Sequence, residues 1–152
     1  LVLSRQPLPT LDRKKYAPAS GVTRGAYVLA DAGGNPEVIL IASGSEVSLV
    51  VEAHEKLIAD GIRSRVVSMP SWEIFEHQPQ EYQDEVLPPQ VTARVAVEQA
   101  STFGWERYVG RSGRMIGMKT FGASAPLKEL QRKFGFEPDR VVAAAKELLG
   151  RN

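Results

Sequence analysis

The run Val38-Ile39-Leu40-Ile41-Ala42, inside the segment Glu37–Ser43 (EVILIAS), narrows the fold more than any other feature of this chain. A strand with one solvated face alternates polar and apolar residues. An unbroken β-branched run suits a strand covered on both faces, as in the parallel sheets of α/β proteins. The residues after the run agree with such a sheet. Gly44-Ser45 ends it and opens a helix, with Ser45 in the N-cap position and Glu46 where the positive end of the helix dipole favours an anion. Val47, Val50, Val51, His54, Leu57 and Ile58 then recur at helical spacing, and Gly61 supplies the stop. Ile62–Met69 resumes a strand pattern. Strand, helix and strand in immediate succession predict a right-handed βαβ unit.

The same alternation runs through the rest of the chain. Gly25–Asp31 is a strand ended by the turn Ala32-Gly33-Gly34-Asn35-Pro36. Pro70–Gln78 and Pro79–Val86 are short helical stretches, Ala93–Glu98 is a strand, Phe103–Val109 a short helix and Met115–Met118 a strand. Pro126–Phe134 and Pro138–Leu149 are helices, each with Pro in its first turn. Five strands interleaved with helices predict a three-layer α/β/α sandwich around a mostly parallel sheet. Functional groups are expected beyond the carboxyl ends of its strands.

Ahead of this pattern, Pro7–Thr23 carries Pro7, Pro9, Pro18 and Gly21 with no hydrophobic period, the composition of an interdomain linker. Leu1-Val2-Leu3 reads as the close of a buried strand, and the chain opens on Leu rather than Met. The expectation is a piece of a longer polypeptide: residues 1–24 a linker with the end of a preceding domain, and residues 25–152 one domain.

Several classes of chemistry drop out. The chain has no cysteine, which removes disulfides, thiol catalysis and Cys-based zinc sites and fits a reducing compartment such as the cytoplasm. A net charge of +1 gives no electrostatic reason to expect nucleic acid or an anionic membrane as partner. Apolar runs fall short of a membrane span. Two distant histidines, His54 on an apolar helix stripe and His77 in a polar stretch, make no metal site. Ser101 and Ser124 lack a neighbouring His and a Gly-x-Ser-x-Gly elbow, which disfavours a hydrolase triad.

The remaining candidates are few. Gly44-Ser45, at the start of a helix, is a candidate anion site, although any tight βα turn needs such a glycine and that structural reading is preferred. Glu98 ends an apolar strand, where a functional carboxylate belongs; capping a turn or pairing with an arginine is the favoured alternative. Arg107, Arg111, Arg114 and Lys119 form a basic stretch, usually a solvated face. Trp72, Trp105, Tyr108 and Phe121 read as packing or interface residues. Arg5, where a strand end meets the linker, could grip a phosphate with two parallel N–H bonds.

Seven blocks stand in order: Leu3-Ser4-Arg5-Gln6-Pro7-Leu8-Pro9, Gly25-Ala26-Tyr27-Val28-Leu29, Ile41–Val47, Ser64–Pro70, Val86-Leu87-Pro88 with Ala93–Glu98, Phe121–Pro126, and Phe134-Gly135-Phe136. Together they resemble the transketolase family, in its bacterial and plant branch, across essentially the whole chain. The resemblance implies a C-terminal domain whose five-stranded sheet has one antiparallel strand. It implies a full-length enzyme that transfers a two-carbon ketol unit from a ketose phosphate to an aldose phosphate, in the pentose phosphate pathway or Calvin cycle. It implies a homodimer using thiamine diphosphate with Mg²⁺ or Ca²⁺, in the cytoplasm or, for a plant chain, the plastid stroma. It places the cofactor-binding and catalytic groups in the enzyme's other domains, so that this chain alone holds no cofactor and is inactive. Arg5 matches the family's substrate-phosphate arginine; Pro7 departs from the Asn common there, and having no N–H to donate, it can alter the path of the linker. Two other readings stay open: a free-standing small-ligand or nucleotide-binding regulatory module using Gly44-Ser45, and a structural interaction domain.

Overall fold

The apolar run Val38–Ala42 is the centre of the sheet. In a computed structural model that describes residues 4 and 6–151, β2 (Val38–Ala42) is buried along its whole length. It pairs in parallel with β3 (Ser64–Ser68) on one side and β4 (Arg94–Ser101) on the other. β5 (Arg114–Met118) extends the sheet in parallel beyond β4, and β1 (Tyr27–Asp31) closes the opposite edge, antiparallel to β3. The order is therefore β1-β3-β2-β4-β5, a five-stranded sheet with one antiparallel strand, as expected.

Period-two alternation sorts the strand residues between two cores. Val38, Leu40 and Ala42, with Val66, Val95 and Val97, pack under α1 (Glu46–Ala59) and α6 (Pro138–Leu148). Ile39, Ile41, Val67 and Ala96 pack on the other face against Phe75 of α2 (Trp72–Glu76), Tyr82 and Val86 of α3 (Gln80–Val86), and Tyr108 and Val109 of α4 (Glu106–Val109). Each fully buried Val, Leu or Ile contributes about 1.5–3 kcal/mol relative to exposure, so the central strands carry the stability. α5 (Leu127–Phe134) buries none of its side chains and lies on the surface. Among the described residues no helix is long and apolar enough to cross a membrane.

α1 ends as its sequence suggests. Gly61 takes φ +74°, its N–H donates to the Ile58 carbonyl at 2.9 Å, and the Ile62 N–H donates to the Leu57 carbonyl at 2.9 Å. This is a Schellman closure, with Ile62 and Leu57 both in the core. The start of α1 differs from expectation. Ser45 has helical φ and ψ and its side chain makes no capping bond. A tight turn begins one residue earlier, at Gly44 (φ +52°), with the Glu46 N–H donating to the Ser43 carbonyl at 3.2 Å.

The proline-rich segment before residue 25 is fastened to the domain by one aromatic side chain. Tyr16 is buried in the α1-side core, and its hydroxyl donates to Glu55 of α1 at 2.6 Å. The Ala17 N–H donates to the Leu29 carbonyl at 2.9 Å, and a 3₁₀ turn spans Ala19–Arg24. The Arg24 guanidinium then lies 3.3 Å from the centre of the Tyr82 ring, while the Tyr82 hydroxyl donates to the Ala26 carbonyl at 2.8 Å.

Candidate functional site

The chain leaves β2 through α1 toward β3 on one side and later enters β4 on the other. The crevice beyond the carboxyl ends of β2 and β4 is therefore the point where the direction of winding reverses, the usual ligand position in an open α/β sheet. Ser43 follows the last residue of β2, and Glu98 lies on β4 one residue past the Ala42–Val97 pairing. The Ser43 hydroxyl donates to Glu98 Oε2. Glu46, from the first turn of α1, is buried beside them. Its Oε1 accepts from the Ser45 hydroxyl at 2.5 Å and its Oε2 from the Gln99 N–H at 3.2 Å.

Burial pushes the Glu98 carboxyl above the ordinary carboxylate range. The Ser43 bond pulls it back, and the neighbouring Glu46 raises it again by charge and hydrogen bonding. Glu98 thus meets a serine and a second carboxyl, neither capping the following turn nor pairing with an arginine, the two alternatives that the sequence favoured. The carboxyls also bear on Gly44-Ser45. The N–H groups that open this helix already donate to Ser43 and Gly44 carbonyls, at 3.2 and 3.4 Å, and an anion at the turn would meet Glu46 and Glu98.

A cleft of about 330 Å³ opens over Glu98 and Ser43. Its far wall is aromatic: Trp72 and Trp105 stand edge to face, ring centres 5.0 Å apart. Gly104 makes this seating possible. It holds φ +85°, and a Cβ there would lie 2.8 Å from the Trp72 ring. Ser71 caps α2 by accepting from the Ile74 N–H at 3.3 Å and donates its own proton to Glu73 at 3.0 Å. Glu73 is held below the usual carboxylate range by its own backbone N–H and by Ser71.

The other candidates disperse. His54 is buried with Nδ1 2.7 Å from Ser64 Oγ, far from the cleft's lining, and His77 is exposed, its Nδ1 2.6 Å from the Glu73 carbonyl. The basic stretch divides: Arg107 pairs with Glu76 at 2.6 Å and Arg114 with Glu147 at 2.7 Å, while Arg111 and Lys119 are exposed. Trp105 and Tyr108 are packed in the core, but Phe121 is exposed. Arg5 lies outside the described residues. Among the described residues no three His, Cys, Asp or Glu side chains are grouped to hold a metal ion.

One polar residue of consequence carries almost no signal in the sequence. Arg94 spends its guanidinium on four carbonyls: Val91 at 2.9 Å, Tyr108 at 2.8 Å, Leu87 at 3.1 Å and Pro88 at 2.9 Å. It pins the loop after α3 and the end of α4 to β4, and desolvation lowers its pKa. Only an arginine at the head of an apolar strand could have pointed to it.

Residues 25–137 match a family model described as the transketolase-like TK C-terminal domain. The chain is 54% identical over 149 residues to a transketolase of Halalkalibacterium halodurans, covering 98% of this chain and 22% of that protein. It superposes on a transketolase from Leishmania mexicana with a TM-score of 0.80 at 44% identity, covering 86% of this chain and 19% of that one. A Pichia stipitis transketolase mutant in complex with xylulose-5-phosphate gives a TM-score of 0.83 at 36% identity, over 97% of this chain and 21% of that one. The chain thus spans about a fifth of the length of the curated relatives it matches.

Proposed function

This chain belongs to the family of transketolase C-terminal domains, and on that premise we propose that it serves an enzyme moving a two-carbon ketol unit from a ketose phosphate to an aldose phosphate. The observation that carries the reading is the 54% identity to a transketolase over 98% of the chain. The Pichia stipitis relative was solved with xylulose-5-phosphate, a substrate of the proposed class. Residues 25–152 are the domain itself and residues 1–24 the approach from a preceding domain; the family model begins at residue 25, in support of that division.

Within such an enzyme this domain supplies scaffold and assembly surface. Phe103 and Phe121, 85% and 98% exposed on the loops after β4 and β5, support contacts with other transketolase domains or with the second subunit of a homodimer. Thiamine diphosphate and its divalent metal supply the carbanion chemistry of the family, but the donor set among the described residues does not fit a metal diphosphate. Arg5 is the substrate-phosphate contact, holding the charged end of the sugar while the reacting carbonyl lies elsewhere. The cytoplasm, or the plastid stroma of a plant, is the proposed location.

The test is an exchange. Residues 25–152 replace the corresponding domain of the Halalkalibacterium halodurans transketolase, and ketol transfer and subunit mass are measured. A dimer with activity within about tenfold of the parent, a loss of no more than about 1.4 kcal/mol in the barrier, is expected. A soluble, folded chimera without activity would overturn the reading. The 152-residue chain alone is expected to bind no thiamine diphosphate in calorimetric titration with Mg²⁺.

A further inference from the structure

Most of the side-chain hydrogen-bonding capacity left toward the cleft beyond β2 and β4 is that of acceptors. The Ser43 hydroxyl proton is spent on Glu98 and that of Ser71 on Glu73. Ser71 Oγ also accepts from the Ile74 N–H at 3.3 Å, and Ser101 Oγ accepts from the Phe103 N–H at 3.2 Å. What remains toward the cleft is acceptor capacity on two carboxyl groups, each with about four lone-pair positions, with the Ser101 hydroxyl proton and the Trp72 indole as the donors beside them. Among the described residues no Lys, Arg or His lines the cleft. A phosphate or carboxylate would meet the Glu73 carboxylate, and the Arg107 guanidinium, 5.6 Å from the centre of the Trp72 ring, is already paired with Glu76. A positive charge would find carboxyl oxygens and aromatic surface, the combination that recognises ammonium groups.

Position and size agree with chemistry. The cleft sits at the winding switch point of the sheet. Its volume of about 330 Å³ lies at the small end of the range for small-molecule sites, about 300–1,000 Å³. Gly104 gives the Trp72 ring room that any side chain at that position would take.

We propose that this cleft is a binding site for a small organic cation, a primary or quaternary ammonium on a short apolar body, with Glu98 and Glu73 holding the charge and Trp72 the body.

The chain has two tryptophans, and both line this cleft, so intrinsic fluorescence reports on it without labelling. The 152-residue chain is titrated at constant ionic strength with choline chloride and with n-butylammonium chloride, in parallel with dimethylbutanol, the neutral isostere of choline, and with inorganic phosphate; calorimetry covers the same series. Saturable binding of both cations at millimolar concentration is expected, with no saturation by the isostere or by phosphate. Glu98→Gln and Glu73→Gln, each confirmed folded by circular dichroism, should each weaken cation binding about tenfold by removing a charge-assisted contact. Absence of saturation with either cation, equal binding of the isostere, competition by phosphate, or wild-type affinity in both variants would each overturn the proposal.

Discussion

His54 Nδ1 lies 2.7 Å from Ser64 Oγ, joining the middle of α1 to the first residue of β3 inside the core. Burial lowers the imidazole's pKa below its ordinary 6.5, against the opposing pull of Asp31 and Glu55 and with a small further push from Lys15. The unfolded chain therefore takes up a proton there that the folded chain refuses. The stability concerned is complete above the ordinary pKa and is lost as pH falls below about 6.5 toward the lower folded value. Replacing His54 with Gln keeps a polar partner for Ser64 and removes the titration. Urea denaturation of both proteins between pH 8 and 5 should give a shallower loss of stability in the variant; parallel curves would show that the folded chain takes up the His54 proton as readily as the unfolded one.

Glu98 titrates in the opposite sense. Its folded pKa is raised above the ordinary 4.5, first by burial and then by Glu46, with Ser43 opposing. The folded chain keeps a proton that the unfolded chain gives up. Stability is therefore fully present below the unfolded pKa and is lost as pH rises from about 4.5 through the higher folded value. Glu98→Gln presents an amide in place of the protonated acid and carries no charge to desolvate. Thermal melts should show the variant gaining on the wild type as pH rises from 4 to 8, with the two similar at the acid end. A variant less stable than wild type at pH 8 would mean that the carboxylate is needed in its charged form.

Arg94 makes four carbonyl bonds that a lysine cannot all reproduce. Arg94→Lys keeps the charge but leaves carbonyls of the Leu87–Val91 loop and of Tyr108 without a donor. Each unpaired group costs about 1–3 kcal/mol where water cannot reach it, and partial solvent access here puts the expected loss at about 2–4 kcal/mol in chemical denaturation. A loss below about 0.5 kcal/mol, the range of an ordinary surface substitution, would show that the loop rehydrates freely.

How far these features were legible depends on the distance over which each is encoded. β2, α1 and the Gly61 stop are local patterns, and they formed where the run, the helical spacing and the glycine placed them. The direction of β1 is not local: a strand's periodicity is the same in parallel and antiparallel pairing, and only the family resemblance implied the antiparallel member. Tyr16 is the buried side chain that anchors the proline-rich segment, and one aromatic residue makes no period. Glu98 meets Ser43 across 55 positions, so its partner was invisible in sequence, and a turn cap or an arginine was the reasonable expectation. The end of β4 was missed for a related reason. Its pairing with β5 shifts register between Glu98 and Ser101, carrying the strand past the apolar residues that marked it.

Arg5, outside the described residues, is open to a functional test that needs no coordinates. In the full-length enzyme, Arg5→Ala should weaken the use of phosphorylated sugars far more than that of their unphosphorylated analogues. A sugar phosphate carries its charge several bonds from the carbonyl that reacts. A guanidinium holding that charge contributes binding energy and aligns the carbon chain for attack. Loss of one charge-assisted contact costs about 1.5–3 kcal/mol, or about ten- to a hundredfold in kcat/KM. The unphosphorylated analogue never makes the contact and should lose little. The comparison is internal to one variant, so a general defect in folding or assembly lowers both rates together and is recognised as such. Steady-state kinetics on a matched phosphorylated and unphosphorylated aldose decide the matter. Equal losses would mean that Arg5 is structural here, as expected if Pro7, which cannot donate a backbone hydrogen bond, redirects the segment that carries it.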